Sequence, residues 1–235
     1  MRVTKLGSNL YQLTRYPTAF PMNCYLVVED DGLTLVDTTM SSPAEDVARL
    51  LGDLGGNLRR LALTHAHGDH VGGVTGIKAR FAGVEVSLGA REVPILAGDT
   101  KTLPGEPDAP VKGFFNKVDW TPDVSLNEGD RVGSLEVVLS PGHTPGHIAF
   151  LDRRDGALIA GDAFQTRGGM AVSGVVRPLF PFPAMATWHK PTALQSAGAL
   201  RALNPSLLAV GHGDALPQPG PAMDRAIEVA HRTFA

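Results

Sequence analysis

The chain has 235 residues, 43% hydrophobic and 19% charged, a composition that excludes an intrinsically disordered segment, a collagen-like fibre and a coiled coil. With 21 Lys and Arg against 24 Asp and Glu, its formal charge of −3 lacks the basic footprint of a dedicated nucleic-acid binder, and none is expected as a partner. No apolar run approaches the ~20 residues that span a bilayer, so no membrane segment is expected. A single cysteine permits no internal disulfide, and the segment from Met1 to Pro17 lacks the apolar core of a secretory signal; a cytoplasmic location is expected. The 27 glycines and 18 prolines, with aromatics at only 6%, point to short elements joined by loops that carry the chemistry.

In chain order, Asn23 to Glu29 and Leu33 to Thr38 read as two strands, joined through Asp30-Asp31-Gly32 as a hairpin. Ser41-Ser42-Pro43 then opens an amphipathic helix over Ala44 to Leu54, with early acids, apolar Val47, Leu50, Leu51 and Leu54, and a stop at Gly55-Gly56. Leu61 to Leu63 predicts a short buried strand running into His65. A helix is predicted over Val71 to Phe81, just after His70, and a strand over Val84 to Leu88. This alternation predicts a sheet with helices packed against it. The proline-rich stretch from Gly98 to Asp130 reads as a surface excursion whose Phe114, Phe115 and Trp120 cover the core, with a substrate-covering lid as the alternative. Strands over Leu135 to Leu139, Ile148 to Asp152 and Leu158 to Ala160 suggest a second sheet. The loop from Phe164 to Met185, a helix over Thr187 to Leu203, a strand over Leu207 to Val210 and a helix over Pro221 to Phe234 follow. No repeat or linker interrupts the chain, so residues 1–235 are expected to form one domain.

The densest chemistry lies in Thr64-His65-Ala66-His67-Gly68-Asp69-His70, where three imidazoles and a carboxylate fall within six residues. On a strand-to-helix loop, His65 and His67 can point one way while Asp69 and His70 turn to a neighbouring position, so one segment can serve two adjacent cations. Neutral imidazole and carboxylate suit divalent zinc or iron, and the absence of a nearby cysteine favours an open, catalytic site over a closed structural one. Further donors fall where apolar strands open into glycine-containing turns: His143 in Gly142-His143-Thr144-Pro145-Gly146-His147, Asp162 in Gly161-Asp162, and His212 in Gly211-His212-Gly213.

Together these motifs resemble the ordered motifs of the metallo-β-lactamase fold superfamily, from Asp37 to His212. The resemblance implies an α/β fold, a four-layer αββα sandwich with metals in a cleft along one edge. It implies one metal on His65, His67 and His143, a second on Asp69, His70 and His212, and Asp162 bridging them. The two divalent ions are expected to be Zn2+, with Fe or Mn as alternatives. Asp37 matches the family's early aspartate and is expected to orient the histidine-bearing loop. His147 has the family spacing but is expected to hydrogen-bond or pack rather than ligate.

Departures from subfamily patterns narrow the function. The commonest true β-lactamases have a cysteine ligand and an arginine where this chain has His70. Glyoxalase II adds a helical C-terminal domain with basic residues, whereas the segment after His212 is short and contains no lysine. The lactonases use a tyrosine between the bridging aspartate and the last histidine; here the tyrosines are Tyr11, Tyr16 and Tyr25, and His189 is a candidate substitute. The expected function is a metal-dependent hydrolase of a small ester, thioester or lactone, in which a metal-bridging hydroxide attacks and Asp69 accepts a proton. The alternative is a mononuclear iron dioxygenase acting on a persulfide-type substrate. Phe180, Phe182 and His189 are candidate substrate-pocket residues. Cys24 reads as a buried small hydrophobe and His231 as a surface residue.

Overall fold

A computed structural model describes residues 1–235. The first half forms β1 (Arg2–Lys5), β2 (Leu10–Arg15), β3 (Met22–Glu29), β4 (Gly32–Val36), α1 (Ala44–Leu54), β5 (Leu58–Leu63), α2 (Gly68–Val71), α3 (Val74–Arg80), β6 (Glu85–Gly89), α4 (Glu92–Leu96) and β7 (Val124–Leu126). Its seven strands lie side by side in chain order, antiparallel from β1 to β4 and parallel from β4 to β7. The second half forms β8 (Arg131–Val132), β9 (Leu135–Leu139), β10 (Ile148–Asp152), β11 (Ala157–Ile159), β12 (Phe164–Gln165), β13 (Ala171–Val172), α5 (Phe182–Ala186), α6 (Lys190–Ala202), β14 (Leu207–Ala209), β15 (Leu216–Pro217) and α7 (Gly220–Phe234). Its main sheet runs β15-β14-β11-β10-β9-β8, and β12 and β13 make a separate hairpin.

Three apolar clusters order the layers. Leu61, Leu63, Val86 and Leu88 on one face of the first sheet pack with Val47 and Leu51 of α1, Val74 and Ile77 of α3 and Ile95 of α4. The opposite face contributes Tyr25, Val27 and Val36 to a cluster with Val137, Ile148, Phe150 and Ile159 of the second sheet. The far side of that sheet packs Leu151, Leu158 and Leu208 against Ala197 and Leu200 of α6 and Met223 and Ala226 of α7. Helices, sheet, sheet and helices follow in that order. Burial on both faces explains why the Leu61–Leu63 end of β5 and all of β11 read as short unbroken apolar runs.

The predicted elements over 44–54, 135–139 and 148–152 match α1, β9 and β10 residue for residue. Four expectations are corrected. The helix predicted from Val71 begins three residues earlier and breaks at Gly72-Gly73, so Asp69 and His70 lie on α2 and the rest forms α3. The 98–130 stretch ends in β7, which closes the first sheet, and the 164–185 loop contains β12, β13 and most of α5. The helix predicted from Thr187 begins at Lys190. Two further strands, β1 and β2, precede the first predicted one: β1 is exposed along its length, and β2 buries Gln12 and Thr14. No helix is long and apolar enough to cross a membrane.

Gln12 and Thr14 are buried because β2 and β3 carry a polar network to the end of β14. Gln12 Nε2 donates to Thr14 Oγ1, Asn23 Oδ1 and the Gly213 carbonyl, each at 3.0 Å. Asn23 Nδ2 donates to the carbonyls of Val210 at 2.8 Å and Gly213 at 2.7 Å, and Tyr25 OH to that of Val210 at 2.6 Å. These bonds pin the Gly211-His212-Gly213 turn of the second sheet to the first. Asn23→Ala strands several buried partners and is expected to lower unfolding stability by about 2–3 kcal/mol, read as a lower urea midpoint. An unchanged midpoint would contradict a structural role for this network.

Candidate metal centre

Topology gathers the polar turns at one edge of the sandwich. The C-terminal ends of parallel β4 and β5 deliver Asp37 and Thr64–His65, while β11 and β14, also parallel, deliver Asp162 and His212. β10 runs antiparallel to β11, so the His143–His147 turn preceding it reaches the same edge. Ile148 N–H donates to Thr64 O at 3.0 Å and couples the two sheets there.

Seven donors meet at that edge. His65 Nε2 and His143 Nε2 each lie 3.0 Å from His67 Nδ1. Asp162 follows, with Oδ2 3.4 Å from His143 Nε2 and 3.2 Å from His212 Nε2, and Oδ1 3.4 Å from His70 Nε2. Asp69 Oδ2 is 3.3 Å from His212 Nε2. Every residue of the set is buried except Asp69, which retains 20% side-chain exposure at the mouth. His65–His67–His143, His65–His70–Asp162 and Asp69–His70–His212 each offer ligand atoms within 4.8 Å of one another.

The outer imidazole nitrogens determine what the inner ones can do. Those of His67, His212 and His70 bond to acceptors only: Nε2 to Lys112 O at 2.8 Å, Nδ1 to Pro21 O at 2.7 Å, and Nδ1 to Asp37 Oδ2 at 2.8 Å. Thr64 Oγ1 spends its proton on Asp37 Oδ2 (2.9 Å), so it accepts from His65 Nδ1 at 3.0 Å. Thr187 Oγ1 donates to Pro183 O and therefore accepts from Ser173 Oγ, which in turn accepts from His143 Nδ1 at 2.9 Å. All five outer nitrogens are donors, so each inner nitrogen of a neutral ring presents a lone pair to the same small volume. His147 is the exception. Its Nε2 accepts from Asp162 N–H at 3.1 Å and its Nδ1 faces Ser140 Oγ at 2.9 Å, so its lone pair holds backbone, as the sequence reading expected.

Electrostatics follows burial and these neighbours. Burial holds His65 and His143 well below the usual imidazole range, assisted for each by adjacent imidazoles, and pushes His147 down to about 3. Burial opposes protonation of His212 too, yet Asp162 and Asp69 outweigh it and raise this group to about 10; Asp37, Asp162 and Asp69 raise His70 likewise. The carboxylates thus demand positive charge at this edge. His70 Nε2 and Asp162 Oδ1 are buried without a hydrogen-bond partner, and converging lone pairs on N and O donors are the environment a divalent cation satisfies. The residues fit such an ion.

Two supports escaped sequence reasoning. Glu92 is fully buried on α4 and accepts from Ala66 N–H (2.8 Å), Thr144 Oγ1 (2.5 Å) and Gly146 N–H (2.9 Å), tying the first histidine loop to the second. Burial raises its carboxyl while these bonds oppose the shift. The 98–130 excursion is the other. It crosses over His67 instead of lying only on the surface: Phe114 O accepts from Gly68 N–H at 2.8 Å, and Trp188 Nε1 donates to Ala109 O at 2.8 Å. Gly113 has φ +111° and lies so close that a Cβ there would stand 2.0 Å from His67 Nε2. Its Phe115 and Trp120 do cover the core, as expected, whereas Phe114 is exposed.

Of the candidate pocket residues, Phe180 is buried with its ring 5.2 Å from that of His212, and Phe182 is half exposed beside Phe180 at 5.3 Å. His189 starts α6: its Nδ1 accepts from Thr192 N–H at 3.4 Å and lies 2.7 Å from Thr192 Oγ1. Cys24 is buried, and burial pushes its thiol up.

Residues 17–212 match the family model of the Metallo-beta-lactamase superfamily, and the chain belongs to that superfamily of metal-binding hydrolases. It is 44% identical over 233 residues to the uncharacterized protein YobT of Bacillus subtilis, covering 99% of this chain and 100% of that one. It is 32% identical over 205 residues to the probable metallo-hydrolase YflN of the same bacterium, covering 79% and 76%. A metallo-beta-lactamase from Pontibacter korlensis shares the fold, with a TM-score of 0.74 at 18% identity and 98% of both chains covered.

Asp37 holds two histidine tautomers and the Thr64 N–H (2.9 Å), and Glu92 holds two loops. Neither Asp37→Asn nor Glu92→Gln keeps two accepting oxygens. Each is expected to stay folded and to weaken metal retention about 10–100-fold in competition with a chromophoric chelator. Wild-type affinity in both variants would remove them from the centre's support.

Proposed function

We propose that the chain, acting as one domain over residues 1–235, is a dinuclear metallohydrolase of a small ester, thioester or lactone. One ion is assigned to His65, His67 and His143, the other to Asp69, His70 and His212, with Asp162 shared. The carrying observation is the position of Asp162, whose two carboxylate oxygens lie within 3.4 Å of donors from both groups. Zinc suits this nitrogen and oxygen set best, and iron or manganese are the alternatives.

Bound divalent ions supply Lewis acidity toward a carbonyl oxygen and lower the pKa of water to about 7. The chain's own residues do the rest. Thr64, Asp37, Ser173 and the carbonyls of Lys112 and Pro21 keep the five imidazoles oriented, with the outer nitrogen of each as a donor. Asp69 is held below the usual carboxylate range because His70 and His212 outweigh its burial, so it is ionised at neutral pH. Its Oδ2 faces His212 while the residue remains partly open to solvent, which suits it to accept a proton from the attacking water. A reducing, cytoplasmic setting agrees with the one buried cysteine, and a small molecule rather than nucleic acid agrees with the net charge of −3.

Metal analysis of the purified chain, joined to a screen of esters, thioesters and lactones, tests this reading. Two ions per chain and hydrolysis are expected, and His65→Ala or His143→Ala loses metal and activity together. One tightly bound iron with oxygen uptake would replace the hydrolase reading with the dioxygenase, and unchanged metal content in His65→Ala would remove the ligand assignment.

A further inference from the structure

Three phenylalanine rings connect His212 to the surface. Phe180, 1% exposed, lies 5.2 Å from the His212 ring, and Phe20 meets the same ring edge-on at 5.5 Å. Phe20 is 4.9 Å from both Phe180 and Phe182, so the cluster runs outward from the buried ring to Phe182, which is 50% exposed. Leu179 and Met185, on the same segment, are 83% and 68% exposed. On the first-sheet side of the donors, Phe114 is 66% exposed, and its ring occupies the space a Cβ on Gly68 would need, next to Asp69.

The wall is fixed in place. Gln165 Nε2 donates to Phe180 O at 3.1 Å, Phe180 N–H to Arg177 O at 2.9 Å, and Met185 N–H to Pro181 O at 3.1 Å. The Phe20 turn is anchored where Pro21 O receives the proton of His212 Nδ1. Two arginines flank the same segment: Arg167 donates to Thr18 O and Arg177 to Met170 O, and neither forms an ion pair with a carboxylate. Exposed apolar side chains gathered beside a polar centre mark a binding site.

We propose that Phe20, Phe180, Phe182 and Leu179 form a subsite for the aliphatic or aryl chain of the substrate, with its scissile carbonyl at the donor cluster beside His212. The inference rests on the hydrolase reading and selects within it: substrates that carry a long apolar chain, against their short-chain counterparts. Continuity of the wall with the His212 ring argues for substrate as its occupant, not a second copy of the chain. Each methylene buried there contributes ~0.8 kcal/mol, close to fourfold in affinity.

The test measures two slopes on the metal-loaded full chain. Calorimetry follows binding of primary alkanols from butanol to octanol, and kinetics follows kcat/KM for p-nitrophenyl esters of matching acyl length. In the wild type, alkanol affinity and kcat/KM rise toward fourfold per methylene. Phe182→Ser and Leu179→Ser, at exposed positions, flatten both slopes while Tm and metal content stay at wild-type values. A flat slope in the wild type, or equal slopes in wild type and variants, overturns the subsite. A dimer that Phe182→Ser dissociates without changing the slopes overturns it in favour of a second copy. Alkanol binding that keeps its slope while no ester or lactone is hydrolysed leaves the subsite standing and removes the hydrolase reading instead.

Discussion

Five imidazoles whose outer nitrogens are all committed as donors, with their inner nitrogens turned toward one another around a buried carboxylate, are the arrangement on which the rest of this structure depends. The cluster is withdrawn from bulk solvent, because His65, His70 and His143 are at most 1% exposed and Asp162 only 3%. No ring is free to flip its tautomer, since each outer nitrogen is committed as a donor to an acceptor fixed by backbone, by a carboxylate or by a proton relay. A divalent cation would supply the positive charge that the carboxylates demand, in place of the protons they otherwise hold on His70 and His212, so the folded chain is preorganised for metal.

That preorganisation is distributed over the sandwich. Asp37 follows β4 with φ +59°, and Thr39 beside it has φ +65°, conformations that non-glycine residues adopt at a cost. The strain is compensated where Asp37 accepts from Thr64 N–H, Thr64 Oγ1 and His70 Nδ1 at once. Glu92 does the corresponding work between loops 26 and 52 residues away, and Asn23 binds the His212 turn of one sheet to a strand of the other. The edge where the sheets meet is therefore held by polar bonds, while the clusters between and outside the sheets supply the apolar burial that makes the edge rigid.

The donors were legible in the sequence because chemistry and topology coincide there: His65, His143, Asp162 and His212 each sit where an apolar strand meets a turn. The supports were not. Glu92 lies in an unremarkable Glu-Val-Pro, and only the folded chain shows its carboxylate spanning two loops. Gly113 looks like any loop glycine until His67 is found against it. β2 was hidden because Gln12 and Thr14 interrupt its apolar pattern, Gln12 buried for a bond to Gly213, 201 positions away, and Thr14 for its bond to Asn23 on the next strand. Phe20 carried no signal, since its neighbours Phe180 and His212 are remote in the chain. Local pattern reveals ligands that end elements, while long-range packing decides what orients them.

The most direct measurement of the central claim is anomalous diffraction from crystals of the metal-loaded chain, which locates each ion independently of activity. The account predicts two peaks about 3.5–4 Å apart, one bounded by His65, His67 and His143, the other by Asp69, His70 and His212, with Asp162 between them. A single peak, or an ion seated away from Asp162, would contradict it.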